Sequence, residues 1–210
     1  MAPGTHRHLG RTMRPDLALV AGMVPAGARV LDLGCGDGAL LEYLIGVKGC
    51  DGHGVEISSE GFHACIGRGV PVVQADIDAG LVDFDDGSFD IVLLSQTLQA
   101  TRRPAFVLAE MMRVAPAGIV SFPNFGHWRI RFGLFTRGRM PSSRVLPYAW
   151  HDTPNIHLCT VRDFEELATV EGLRITARVP LNVRGGRARA WVERRPNLLA
   201  AGVVCRLEHH

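Results

Sequence analysis

The stretch RVLDLGCGDGALLEYL, Arg29 to Leu44, decides how this chain is read. An apolar run gives way to Gly34, Gly36 and Gly38, which alternate with Cys35 and Asp37. The segment that follows repeats Leu40, Leu41 and Leu44 at the 3.6-residue period of a helix. A glycine turn between a buried strand and a helix suits a nucleotide. Two carboxylates, Asp32 and Asp37, sit in or beside this turn, so the ligand must tolerate acid there.

Outward from that unit the chain alternates strand and helix. Pro15 and LALVAGMV predict a short opening helix that ends near Pro25. GHGVEI (52–57), VPVVQAD (70–76), SFDIVLLSQ (88–96) and GIVSFPN (118–124) read as strands, the fourth nearly continuous in apolar residues, as a strand covered on both faces is. Helices are expected over 60–68 and, starting at Pro104, over FVLAEMMRV; Thr160 with Asp163 marks the N-terminus of another, DFEELATVEG. LRITARVPL and RARAWVERR, joined near Gly185-Gly186, are expected to pair as an antiparallel hairpin. The fold class is therefore α/β: a doubly wound, Rossmann-like sheet, mostly parallel, closed by a C-terminal antiparallel hairpin. We expect a flexible N-terminus over 1–13, one domain over 14–196 with an irregular insertion at 124–159 acting as a lid or partner-binding segment, and a tail over 197–210 whose last residues, LEHH, look like a tag remnant.

The 210 residues, 47% hydrophobic, are enough for one well-buried core. No apolar stretch reaches the roughly 18 residues that cross a bilayer, and the start lacks a signal-peptide centre, so a cytoplasmic location is expected. Cys35, Cys50, Cys65, Cys159 and Cys205 form no CxxC pair, and the histidines are scattered; reduced thiols and no metal are expected. Net charge is only +2, but residues 1–128 carry 9 basic and 14 acidic side chains and residues 129–195 carry 13 and 6. Arg129, Arg131, Arg137, Arg139 and Arg144 interleave there with Trp128, Phe132, Phe135, Tyr148 and Trp150, a mixture that suits a protein interface; the modest total charge ranks RNA below a protein partner.

In a doubly wound sheet the turn after the first strand lies at the ligand crevice. A phosphate placed about 4 Å from a carboxylate there costs roughly 1–4 kcal/mol. A cationic, phosphate-free adenosyl ligand has no such penalty, and S-adenosylmethionine fits. Glu56, ending the second strand 24 residues after Asp32, is placed to accept from both ribose hydroxyls; Asp76 is placed for the adenine amino group, with Ile77 as a flat apolar neighbour.

VLDLGCGDG, GVEI, QADID and FDIVLLSQTLQ together resemble the class I S-adenosylmethionine-dependent methyltransferases, and LSQTLQA, SFPNFGHWRIR, GRMPSS and DTPNIHLCT resemble more narrowly the MetW family of methionine biosynthesis proteins, over about residues 14–180. The resemblance implies a retained methyltransferase fold, S-adenosylmethionine or S-adenosylhomocysteine as ligand, and a homoserine O-acyltransferase as partner. It implies cofactor contacts at Asp32, Gly34, Gly36, Glu56, Asp76, Ser95 and Gln96, with Ser58 standing where the family pattern has aspartate; Cys35, Gly38, Ile57 and Ile77 are expected to complete the site. Methyl transfer from a sulfonium needs alignment more than a base. If a base acts, His127 and His157 in the insertion are the candidates; otherwise each fixes a loop. Gln96 and Gln99 are expected near the donor methyl, and Cys35, without a base at fixed spacing, as a small turn residue.

Overall fold

The computed structural model describes residues 13–140 and 149–209. Chain order is α1 (Pro15–Met23), β1 (Arg29–Leu33), α2 (Ala39–Lys48), β2 (Asp51–Glu56), α3 (Ser59–Gly67), β3 (Val72–Gln74), β4 (Ile91–Ser95), α4 (Pro104–Val114), β5 (Ala117–Pro123), α5 (Trp128–Arg137), α6 (Val161–Val170), β6 (Leu173–Leu181), α7 (Pro196–Leu199) and β7 (Gly202–His209). The strands form one seven-stranded sheet in the order β3-β2-β1-β4-β5-β7-β6, parallel through β5, with β7 antiparallel to both neighbours. Strand order reverses between β1 and β4, so the ligand crevice of such a sheet opens at their carboxyl ends.

Side-chain alternation along the strands divides the core between the two faces. Leu31 and Leu33 of β1, with Val92 and Leu94 of β4 and Phe122 of β5, pack on one face against Leu108 and Met111 of α4 and Phe164 of α6. The Phe122 and Phe164 rings lie 4.6 Å apart. Val30, Ile91, Leu93 and Ile119 face the other way, onto Val20 of α1 and Leu40, Leu41 and Leu44 of α2. By the same alternation Asp32 falls on the α2 face, under the glycine turn. Its α-carbon stands opposite Gly54 of β2 and Leu93 of β4.

Three expectations are corrected. The antiparallel hairpin exists, but the partner of β6 is β7, not RARAWVERR. That segment makes a single bridge, Leu181 to Arg187, and then coils into a short 3-10 helix, Ala190–Arg194. Residues 202–209, expected to be a tail, are instead an interior strand, with Val203, Val204, Cys205 and Leu207 fully buried between β5 and β6. Within 124–159 the described residues include α5, where irregular chain was expected. The buried Asn124 side chain holds this region together. Its amide nitrogen donates to the carbonyls of Ala200 (2.8 Å) and Asn197 (3.1 Å), while its oxygen accepts from the N–H groups of Gly126 and Val161, fixing the starts of α5 and α6. Helix α6 has the expected capping box between Thr160 and Asp163. Tyr148, Arg144 and most of the N-terminus 1–13 lie outside the described residues.

Candidate functional site

The glycine turn is built by left-handed backbone. Gly34 has φ +71°, and a β-carbon there would stand 2.6 Å from the Thr97 side chain, so the residue after β1 has to be glycine. Gly36, at φ +58°, has open space where a β-carbon would be; its N–H donates to Glu56 Oε2 at 2.8 Å. Gly38 leads into α2 and packs against Cys65 of α3. Cys35 and Cys65 form no disulfide, their sulfurs lying 3.6 Å apart; burial raises the Cys35 thiol well above its usual range and raises that of Cys65 too, which removes Cys35 as a nucleophile.

Two carboxylates control the electrostatics. Asp32 is 2% exposed and its Oδ1 has no hydrogen-bond partner. Burial pushes its pKa up to about 7, and the Glu56 carboxylate adds to the shift. Glu56 is buried at the end of β2, where its second oxygen accepts from the N–H of Ser58 (2.9 Å) and from its hydroxyl (2.8 Å). Ser58 thus orients Glu56 while its own oxygen caps α3 through the Gly61 N–H. Among the described residues neither Asp32 nor Glu56 has a basic side chain within ion-pair distance. Asp37, expected to repel phosphate from the turn, is instead paired at 2.8 Å to Arg68, the C-cap of α3, and accepts from the Ala39 N–H. The acidity of the site therefore rests on Asp32 and Glu56.

Gln96, which follows β4, has φ +56°, the one positive value among the described non-glycine residues. Such backbone costs of order 1–3 kcal/mol and collects at functional sites. It is held by its N–H donating to the Ser121 carbonyl at 2.9 Å, and the Ser95 and Ser121 hydroxyls bond each other beneath it. The buried Gln99 amide donates to the Gln96 carbonyl at 2.7 Å and leaves its own oxygen without a partner.

A cleft of about 850 Å³ opens here, lined by Gly34, Glu56, Ile57, Gln96, Thr97 and Gln99 on the sheet side. Arg14, Asp16, Asn155 and Leu181–Gly185 form its other wall. Of the expected contacts, Asp32, Cys35, Gly36, Gly38 and Ser95 are not among the residues that line it. Asp76 accepts from the Asp78 N–H, and Ile77 packs on the core; neither reaches the cleft wall. His127 is the N-cap of α5, its Nδ1 accepting from the Arg129 N–H at 3.3 Å, and burial followed by the Arg129 charge lowers its pKa. His157 is exposed, its N–H donating to the Gln99 carbonyl. Neither imidazole lines the cleft.

A family model described as methionine biosynthesis protein MetW matches residues 14–207. The chain belongs to the MetW family. This MetW chain is 35% identical over 202 residues to the bifunctional methionine biosynthesis protein MetXA/MetW of Rhodopirellula baltica; the match covers 92% of the chain and 32% of the relative, so the chain spans about a third of that protein's length. It is 32% identical over 133 residues to a ubiquinone biosynthesis O-methyltransferase of Methylococcus capsulatus, covering 60% of the chain and 56% of the relative. Among solved structures it resembles a SAM-dependent methyltransferase, possible histamine N-methyltransferase, from Thermotoga maritima (18% identity, 93% and 88% of the two chains, TM-score 0.66) and one from Mesorhizobium loti (18%, 91% and 96%, TM-score 0.66). This MetW fold is thus a methyltransferase fold.

Sequence reasoning missed much of this MetW cleft. Thr97, which closes over Gly34, follows the strand at once and was within reach. The wall at Asp16, Leu181–Gly185 and Ala201–Gly202 was not, because it assembles from segments far apart in the chain.

Proposed function

We propose that this MetW chain binds S-adenosylmethionine in the cleft beyond β1, β2 and β4, and acts in methionine biosynthesis through a complex with a homoserine O-acyltransferase. The observation that carries the ligand is the buried pair Asp32 and Glu56, one with an orphaned oxygen and both without a cationic partner among the described residues. A buried, unpaired carboxylate is costly, and a cationic ligand removes that cost. Glu56 would take the ribose hydroxyls, Gly34 and Gly36 the close backbone approach, Asp32 the cationic amino-acid end, and Ile57 the adenine flank, with Asp76 and Ile77 beyond β3 on the same edge. The ligand supplies, when bound, a methyl group activated by a sulfonium. The chain contributes alignment: Gln96 and Gln99 bring polar atoms to the cleft, and no described imidazole lines it.

The partner reading is supported by the Rhodopirellula relative, whose name joins MetXA and MetW in one protein. A second reading, methyl transfer to a small metabolite or RNA, is supported by the polar outer wall at Arg14, Asp16, Asn155 and Arg184, which offers an acceptor groups to bind. The fold does not choose between them, since one solved neighbour is a [4+2]-cyclase. Calorimetry with S-adenosylmethionine and S-adenosylhomocysteine, alone and with the acyltransferase, tests the proposal. Binding of the donor and of the acyltransferase without methyl turnover in cell extract supports the complex; extract-dependent turnover supports the enzyme; no binding of either adenosyl compound overturns the ligand assignment. Ligand sensing additionally requires acyltransferase affinity to change with cofactor, because a ligand without differential affinity shifts nothing.

A further inference from the structure

Helix α5 carries its aromatic residues on the wrong side for a core helix. Trp128, Phe132 and Phe135 recur at i, i+4 and i+7, one face of a helix, yet they are 45%, 62% and 89% exposed, while Ile130 is the buried anchor. The Arg129 guanidinium lies 5.3 Å from the centre of the Trp128 ring. Beside the stripe is a basin of about 450 Å³ whose charged lining is five arginines, Arg131, Arg162, Arg178, Arg194 and Arg195, against two carboxylates, Glu165 and Glu193, and so is net basic. Arg178 is paired with Glu165. Arg131 donates to the Gly126 carbonyl, whereas Arg162, Arg194 and Arg195 have no carboxylate partner among the described residues. Exposed aromatics flanked by unneutralised arginines are the composition of an interface centre and its rim.

We infer that the Trp128–Phe132–Phe135 stripe and the arginine basin are the surface on which the homoserine O-acyltransferase docks, through an apolar patch edged with carboxylates. This rests on the complex proposed above. The occupant is argued from the fused relative, in which the names MetXA and MetW share one chain, MetXA being read as the acyltransferase of the complex proposed above, and from charge: a basic rim selects an acidic counter-surface. Position supports it too. Strand β5 ends at Pro123, which lines the cofactor cleft, and α5 starts within a few residues of it, so a partner on α5 sits next to the ligand.

The test is calorimetric titration of the purified acyltransferase into the wild-type chain, the Phe132→Asp/Phe135→Asp double variant, the Arg162→Glu/Arg194→Glu double variant, and a control, Val82→Asp, at an exposed apolar residue outside this surface. All four substituted aromatic and arginine side chains are exposed, and the unfolding midpoint verifies that each variant is folded. The aromatic variant is expected to weaken binding by about 30-fold or more. The charge-reversed variant is expected to weaken it by about 10-fold at low salt and less at high salt, and the control to bind as wild type. If wild type binds and the two variants bind equally well, this surface is wrong and the complex stands. If wild type does not bind the acyltransferase, the complex itself falls and takes the surface with it. Binding of the aromatic stripe to anionic phospholipid vesicles, abolished in Phe132→Asp/Phe135→Asp while acyltransferase binding persists, would make α5 a membrane-surface helix and overturn the assignment.

Discussion

Replacing Asp32 by asparagine separates stability from binding in a way that only a desolvated carboxylate produces. Asp32 ionises at about 7 in the folded chain, against about 4 for an exposed aspartate. Between those values the folded chain keeps a proton that the unfolded chain has released, so wild-type stability falls by about 1.4 kcal/mol for each pH unit, or about 4 kcal/mol across the window. Above pH 7 the full cost of the buried charge is present; below about pH 4 it is absent. Asparagine keeps the shape and carries no charge. The Asp32→Asn protein should therefore match wild type at low pH and exceed it by up to about 4 kcal/mol at pH 8. Urea unfolding of both proteins across this range measures the difference, other titrations cancelling. A cation beside Asp32 reverses the logic: it favours the carboxylate, so wild-type affinity for S-adenosylmethionine should rise with pH up to about 7, with proton release on binding, and Asp32→Asn should lose that dependence. A stability difference that stays flat across the window would refute the electrostatic argument.

Gly34→Ala and Gly36→Ala should differ in where the loss falls. The first puts a β-carbon into Thr97 at positive φ and should cost about 2–3 kcal/mol of stability by urea unfolding; the second meets nothing in the fold and should cost about 1 kcal/mol while abolishing calorimetric binding of the adenosyl ligand. Gln96→Gly should relieve the positive φ, raising stability by about 1 kcal/mol in the same assay while weakening ligand binding through a looser cleft wall. His127→Ala removes an N-cap and should lower stability by about 1 kcal/mol; in any turnover assay the pH profile should stay unchanged, and an altered profile would restore the imidazole as a base.

The glycine turn, Glu56 at the end of β2 and the capping box of Thr160 were legible because each depends on neighbours within a few residues. Other features were hidden for definite reasons. RARAWVERR alternates like a strand, but the sheet position beside β6 is occupied by β7, which makes the continuous antiparallel ladder. Helix α5 buries Ile130 and presents its aromatics outward, so its pattern contradicts the rule that large apolar residues face the core. Asp37 reads as a free charge until α3 brings Arg68 to it.

What the sequence by itself determined is the class of the fold and the turn at which the crevice of such a sheet opens, since backbone conformation at glycine and the period of apolar residues are local properties. What the tertiary structure alone decided is which charges are neutralised, which strand closes the sheet and which aromatics stay in solvent. These depend on segments far apart in the chain, and no local pattern records the partner that arrives from elsewhere.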